Sequence, residues 1–313
     1  MKLGVVMDPI EDINFKKDSS LAMMIEAQNK NHQITYMTSS SLFIKSGKAF
    51  AKSSSIEVRD DATDWFSLGE ERVIELSSLD SILMRQDPPF NSEYIYNTYV
   101  LEIAAKNGVK VFNNPRSLRD CNEKVFATEF PQCCTEHLVT SQKNLLIDFV
   151  LEYGDTVIKP LDGMGGASIF RLKKSDPNLN VILETITLHF SQKVMIQEYI
   201  PEISEGDKRI LVINGKPMDA AIARIPAEGE LRGNLAAGAS AVAKSLSERD
   251  LWICNEVGPT LVEKGLLLVG LDVIGDFLTE INVTSPTCFR EYKELCDIDV
   301  AKKFIESVEE LTP

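Results

Sequence analysis

Histidine is scarce in this chain of 313 residues, with three copies, and the six cysteines (Cys121, Cys133, Cys134, Cys254, Cys288 and Cys296) contain no C-x-x-C spacing. Zinc-built architecture needs clustered thiolates and imidazoles, so it is not expected. Basic charge is also short: 33 Lys and Arg face 47 Asp and Glu, for a net charge of −14. That balance argues against nucleic acid or an anionic membrane as a partner, while leaving room for a local basic cleft. The longest strongly apolar stretch, Gly265 to Gly275, carries Asp272 and falls well short of the roughly 20 residues a membrane helix requires. The opening MKLGVVMDPIED has one lysine and an apolar run broken by Asp8 and Pro9, unlike a secretory leader. A cytoplasmic chain is the expectation. In that setting Cys133 and Cys134 read as buried or half-buried thiols rather than as a reactive pair.

What is present is ordinary material for a large core: 44% apolar and 26% charged residues in a chain long enough for two or three packed domains. Lys2 to Met7 reads as a buried strand, Ser19 to Lys30 as a helix and Gln33 to Thr38 as a second strand, a unit that favours a parallel sheet with helices on its faces. Residues 41 to 78 read as short strands and turns. A strand at Leu79 to Met84, a helix at Glu93 to Asn107 and a strand at Val109 to Asn113 follow. A helix over Ser117 to Glu129 is expected from the capping pattern of Ser117 and Asp120. The strands beyond it have connections too short for crossovers, so they are expected to be non-parallel. The expectation is a mixed α/β (α+β) fold divided at about residues 120 and 200.

Three patterns carry chemistry. In VIKPLDGMGGASIFRL, Val157 to Leu172, a strand delivers Lys159 to a loop in which Gly163, Gly165 and Gly166 let backbone N–H groups approach phosphate oxygens. The spacing is neither a Walker A loop nor a dinucleotide fingerprint. In GLDVIGDFLTEINVTSPT, Gly270 to Thr287, Asp272, Glu280 and Asn282 are hard oxygen donors of the kind Mg²⁺ prefers, set in apolar strands. Glu280 and Asn282 share a face. Asp272 joins them only through a three-residue loop or a bulge, because a tight Gly275-Asp276 turn alone places it on the opposite face. The third pattern is the recurrence of Lys124, Lys159, Lys208, Arg209, Arg224 and Arg232 at strand ends, which suits phosphoryl transfer. Arg224 or Arg85 could fork a substrate carboxylate. The small-residue loop from Gly229 to Ala241 has the composition of a lid.

These residues resemble the ATP-grasp superfamily, and within it the bacterial glutathione synthetases. The resemblance runs through KLGVVMDPI, KKDSS, RQDPPF, NNPRSLRDCNEK, IKPLDGMGGASIFR, GDKRILVINGKP, RIPAEGELRGNLAAG, VGLDVIG and LTEINVTSPT in order. It implies an ATP-grasp fold: an N-terminal open parallel-sheet domain (1–120), a central subdomain (121–200) and a C-terminal subdomain (201–313) with a lid near 226–241. It further implies joining of γ-glutamylcysteine and glycine through an acyl phosphate, with ATP and Mg²⁺, or Mn²⁺ in its place, in a homotetramer. Another carboxylate–amine ligase of the superfamily, or a non-catalytic nucleotide binder, is the alternative. By the resemblance Lys124, Lys159 and Arg209 meet ATP phosphates, while Glu198, Tyr199 and Ile200 receive adenine and ribose with Asp207 beside them. Asp272, Glu280 and Asn282 hold the metal. Arg224, Arg232, Asn234, Thr284 and Ser285 lie near the peptide or the acyl phosphate. Where the family continues its lid as GNLAAGGRG, this chain has Gly238-Ala239-Ser240-Ala241, which implies weaker lid closure with activity retained.

Overall fold

The computed structural model describes residues 1–163, 165–227, 229–230, 233 and 238–312. Its first sheet is built from β1 (Lys2–Met7), β2 (Gln33–Thr38), β3 (Leu42–Lys45), β4 (Lys48–Val58), β5 (Phe66–Leu68), β6 (Arg72–Glu75), β7 (Ser81–Met84) and β8 (Lys110–Phe112). Strands β2, β1, β7 and β8 are parallel neighbours in that order. Helix α1 (Ser19–Asn29) crosses from β1 to β2, and α2 (Ser92–Lys106) from β7 to β8. Asp18 caps α1 through Leu21 N, and Asn91 caps α2 through Tyr94 N. Residues 42–75 form antiparallel ribbons on β4, which itself pairs with β2.

The expected helix over Ser117 to Glu129 is shorter than its pattern. Helix α3 covers Pro115–Asp120, capped by Asn114 with proline in the first turn, a favoured start because proline lacks only an N–H that is unpaired there anyway. Asn122 then breaks the helix by accepting from Lys124 N and Val125 N. A 3₁₀ turn at Phe126–Glu129 follows.

The second sheet holds β9 (His137–Thr140), β10 (Asp155–Pro160), β11 (Phe170–Lys173) and β12 (Val194–Glu198). All its pairings are antiparallel, in the order β11-β10-β12-β9. Helices α4 (Lys143–Tyr153) and α5 (Leu179–Ile186) bury Leu146, Phe149, Val150 and Leu183 with Ile158, Leu172 and Ile196 in a core of its own.

The third sheet contains β13 (Asp207–Ile213), β14 (Lys216–Pro217), β15 (Ala220–Ile225), β16 (Ser240–Ser245), β17 (Leu268–Ile274) and β18 (Phe277–Asn282). Ser240 and Ala241, expected in the lid, stand in β16 opposite Ile225 and Arg224. Three helices complete the chain: α6 (Glu248–Glu263), α7 (Phe289–Cys296) and α8 (Val300–Leu311). A Ser247/Asp250 capping box starts α6.

The first and third sheets do not have separate cores. One cluster joins Val6, Leu79 and Tyr94 to Ile210, Val269 and Ile281, and another joins Leu21 and Met24 of α1 to Phe304 and Ile305 of α8. Asn113, at the end of β8, seals the junction: its amide donates to the carbonyls of Leu268 and Val283 at 2.7 Å, and its Oδ1 accepts from Leu268 N. Two carbonyls at the ends of β17 and β18 are thereby fixed from the first sheet. Among the described residues, no helix is long and apolar enough to cross a membrane.

Candidate active site

Between the second and third sheets lies a cavity of about 370 Å³. One wall is the Asp272 hairpin. Gly275 and Asp276 form a tight two-residue turn in which Gly275 has φ +56°, a left-handed conformation that glycine adopts without steric cost. By itself that turn would set Asp272 and Glu280 on opposite faces. The pairing slips by one residue after Ile274–Phe277 and Val273–Leu278, so that Asp272 faces Glu280 and Gly270 faces Asn282. The bulge, one of the two routes left open by the sequence, therefore brings the three oxygen donors to one face. The extra residue is Thr279. Its hydroxyl donates to the Asp272 carbonyl at 3.1 Å, and its own carbonyl accepts from Lys159 Nζ at 3.0 Å.

Across β13 from this hairpin, Arg209 is the register partner of Asp272. Its Nε and Nη2 reach the two carboxylate oxygens at 2.5 and 3.0 Å. Arg224 on β15 contacts the same carboxylate at 2.9 Å and also pairs with Asp207. Asn282 Nδ2 donates to Asp272 Oδ2 at 3.1 Å. Burial opposes ionisation of Asp272, but the guanidiniums of Arg209 and Arg224 overcome it and hold its carboxyl well below the usual range. Asp207 goes the other way: burial pushes it up to about 6 against the pull of Arg224. Among the described residues its Oδ1 is buried without a hydrogen-bond partner. Gly270 has a packing role here, since a Cβ would sit 2.8 Å from Arg209 Cδ.

The opposite wall carries the two lysines. Lys124 Nζ bridges the walls, reaching Gly163 O at 2.8 Å and Glu280 Oε1 at 2.9 Å. Burial lowers its pKa, but the Glu280 carboxylate outweighs that and raises it. Lys159, buried and with, among the described residues, only the Thr279 carbonyl within hydrogen-bond reach, is lowered to about 8, chiefly by burial. Gly165 and Gly166 take φ +62° and +77° at the cavity edge. At the far end Val157, Ile169, Ile200, Ile203 and Ile274 make an apolar lining beside Tyr199. The Arg171 guanidinium lies 3.5 Å from the Tyr199 ring centroid, oriented by two bonds to Asp155.

Most of the residues singled out in the sequence therefore meet at one cavity: Lys124, Lys159, Gly163, Gly165, Gly166, Tyr199, Ile200, Asp207, Arg209, Arg224, Asp272, Glu280, Asn282, Thr284 and Ser285. Two do not. Glu198 is exposed at the end of β12, while its neighbours Gln197 and Tyr199 line the cavity. Arg85 stands off the cavity wall, its guanidinium donating to Ser20 Oγ and Pro286 O, so it braces the loop after β18. Lys208 alternates away from Arg209 and pairs with Asp250 of α6 at 2.5 Å. Arg232 and Asn234, and with them most of the lid, lie outside the described residues. Cys133 and Cys134 are raised by burial to about 11 and about 12, as inert thiols are. Sequence reasoning missed Glu123, Arg171 and Gln197.

The donors fit the groups a phosphoryl-transfer site needs. Two carboxylates and an amide oxygen suit a hard divalent cation, and a buried unpartnered carboxylate oxygen stands beside them. Among the described residues no three His, Cys, Asp or Glu side chains cluster as metal ligands.

A cavity between an antiparallel four-stranded sheet and a second sheet bearing paired acids and arginines defines an ATP-grasp protein. Solved structures agree on that fold: a D-cycloserine synthetase, DcsG, superposes with a TM-score of 0.70 at 12% identity over 100% of both chains. The ATP-grasp ligase PsnB does so at 0.65 and 16% identity, over 100% of this chain and 99% of its own. The chain belongs to the prokaryotic glutathione synthetase family, whose N-terminal domain matches residues 1–119 and whose ATP-grasp domain matches residues 123–297. It is 54% identical to the glutathione synthetase of Vibrio parahaemolyticus over 309 residues, 99% of this chain and 98% of that one. Identity to the Pseudomonas aeruginosa glutathione synthetase is 55% over 308 residues, 98% and 97% of the two chains.

Proposed function

We propose that the chain is an ATP-dependent carbon–nitrogen ligase that joins γ-glutamylcysteine to glycine, with ADP, phosphate and glutathione as products. The observation that carries this reading is the convergence of Lys124, Lys159, Arg209, Arg224, Asp272, Glu280 and Asn282 on one cavity, in a chain aligned over nearly its whole length with glutathione synthetases.

The apolar end beside Tyr199 and Ile200 suits a nucleobase, and the lysine end suits its phosphates. Lys159 is the natural phosphate contact, because among the described residues its ammonium has no carboxylate within hydrogen-bond reach. Lys124 and Arg209 would join it, with Asp207 near the ribose. Asp272, Glu280 and Asn282 would hold Mg²⁺, which when bound neutralises polyphosphate charge and orients the γ-phosphoryl group. The dipeptide carboxylate oxygen attacks the γ-phosphorus as the bond to ADP breaks, leaving an acyl phosphate. The neutral glycine amine then attacks the carbonyl carbon, phosphate leaves with its bonding pair, and the amine's extra proton passes to solvent. Arg224, with Thr284 and Ser285 and, beyond the described residues, Arg232 and Asn234, would orient the carboxylate and stabilise the tetrahedral oxyanion. A lid over 226–239 would keep water from the acyl phosphate. A three-part division at about 120 and 200 would give that lid a cleft to close. A cytoplasmic setting is supported by six free cysteines; a homotetramer is implied by the family.

The test is incubation of purified protein with MgATP and γ-glutamylcysteine, with and without glycine, followed by phosphate assay and mass detection. Glycine-dependent phosphate matched one-to-one by glutathione is the expected result. Tight nucleotide binding without product would sink the assignment.

A further inference from the structure

The loop Asn122-Glu123-Lys124 touches both walls of the cavity, Asn122 the glycine-loop side, Glu123 the β18 side and Lys124 both. Lys124 has been described. Asn122 Nδ2 donates to the Leu161 carbonyl at 3.0 Å, two residues before the carbonyl that Lys124 holds, so the start of the glycine loop is gripped twice. Glu123 faces the other way. Its Oε1 alone accepts from Val283 N at 2.8 Å, Thr284 N at 3.0 Å and Thr284 Oγ1 at 2.8 Å. Its backbone carbonyl accepts from Ile281 N at 2.9 Å. The segment held this way runs from Glu280 and Asn282 to Ser285.

We infer that Asn122 and Glu123 are positioning residues: together they form a bracket that sets the gap between the glycine loop and the end of β18, and Glu123 orients Asn282, Thr284 and Ser285 for phosphoryl transfer. This rests on the ligase reading above. The physical case is geometric. After Asn282 the chain leaves β18, and the sheet no longer supplies partners for the N–H groups of residues 283 and 284. A single carboxylate oxygen takes over that role and captures the Thr284 hydroxyl as well. One oxygen accepting three hydrogen bonds from two successive residues fixes the turn in one arrangement. A displacement of about 1 Å in a group that orients substrate can lower a rate about a hundredfold, which is why the bracket acts on turnover without touching the reacting atoms.

The experiment compares Glu123→Ala and Glu123→Gln with the unaltered chain, reading steady-state glutathione formation and amide hydrogen exchange at Val283 and Thr284. Glutamine keeps an oxygen that can accept the same three bonds. The expected result is that Glu123→Ala accelerates exchange at both amides and lowers kcat about a hundredfold, with KM for ATP changed by less than about threefold. Glu123→Gln restores slow exchange and keeps kcat within about threefold. If Glu123→Ala does not fold, Glu123→Asp takes its place, since a carboxylate one methylene shorter cannot hold the turn, and the same split is expected. Unchanged kcat in the variant with faster exchange would overturn the inference, as would Glu123→Gln being as impaired as Glu123→Ala. Failure of the unaltered chain to make glutathione would instead overturn the functional reading on which it rests.

Discussion

The two walls of the cleft are built on different physical terms. On the third sheet, Asp272 pairs with both Arg209 and Arg224, and Arg224 also with Asp207, in a sheet whose cores are shared with the first sheet. On the second sheet, Lys159 has a carbonyl for its ammonium and, among the described residues, no ion-pair partner, and the sheet rests on a core of its own. The first wall is a fixed electrostatic template, able to hold charge in place before any ligand arrives. The second offers a cation that, among the described residues, meets a carbonyl and no carboxylate, on a sheet with its own core. A ligand rich in negative charge completes the second wall and finds the first already formed.

The largest effect is expected from breaking the template. Asp272→Asn leaves two buried guanidiniums without their shared counter-charge, which should destabilise the protein by about 3–5 kcal/mol and lower ligase turnover about a thousandfold. Urea unfolding and product assays measure the two, and stability within error of the unaltered chain would show that the walls do not differ in this way. Next is Ile196→Ala in the small core, with about 2–5 kcal/mol lost. Faster hydrogen exchange should be confined to β9 to β12 with α4 and α5; spreading of the effect to β13 or β17 would mean that the cores are not separate.

The pH response of Lys159 sharpens the contrast. Burial lowers its folded pKa to about 8 from the ordinary 10.5. As pH rises through 8 the folded protein loses the ammonium, so kcat/KM for ATP should fall. Between 8 and 10.5 the unfolded chain binds more protons than the folded one, so this group's contribution to stability rises with pH. Activity and that stability contribution thus run in opposite directions, and Lys159→Arg should remove both responses in a pH series. The smallest effect is expected from Arg171→Leu, which removes a partly exposed stack on Tyr199 worth about 0.5–1 kcal/mol. KM for ATP should rise about two- to fivefold with KM for the dipeptide unchanged.

Much of this site was legible in the sequence because chemistry and periodicity coincide there. Glu280 and Asn282 share a face by alternation alone, and the mismatch with Asp272 demanded either an odd loop or a bulge. Lys159 was visible as a cation delivered by a strand to a glycine loop. Glu123 was not legible: a glutamate beside a lysine reads as solvated surface, and its partner lies 161 residues further on. Helix α7 escaped for a local reason. Its N-cap is Cys288 at φ +85° with no capping side-chain bond, so the usual start signal is missing. Strand β16 is an edge of Ser, Ala and Lys with one Val, and only its pairing with β15 defines it. An arginine at a strand end such as Arg85 reads the same whether its fork meets a ligand or protein partners, and here two of its nitrogens meet Ser20 and Pro286.

The most direct test of the account is the fate of the dipeptide's carboxylate oxygen. With γ-glutamylcysteine labelled with heavy oxygen at the cysteinyl carboxylate, and with MgATP and glycine, mass analysis of the released phosphate should find one labelled oxygen per glutathione formed. Unlabelled phosphate accompanying glutathione would contradict carboxylate activation by phosphoryl transfer in this cleft.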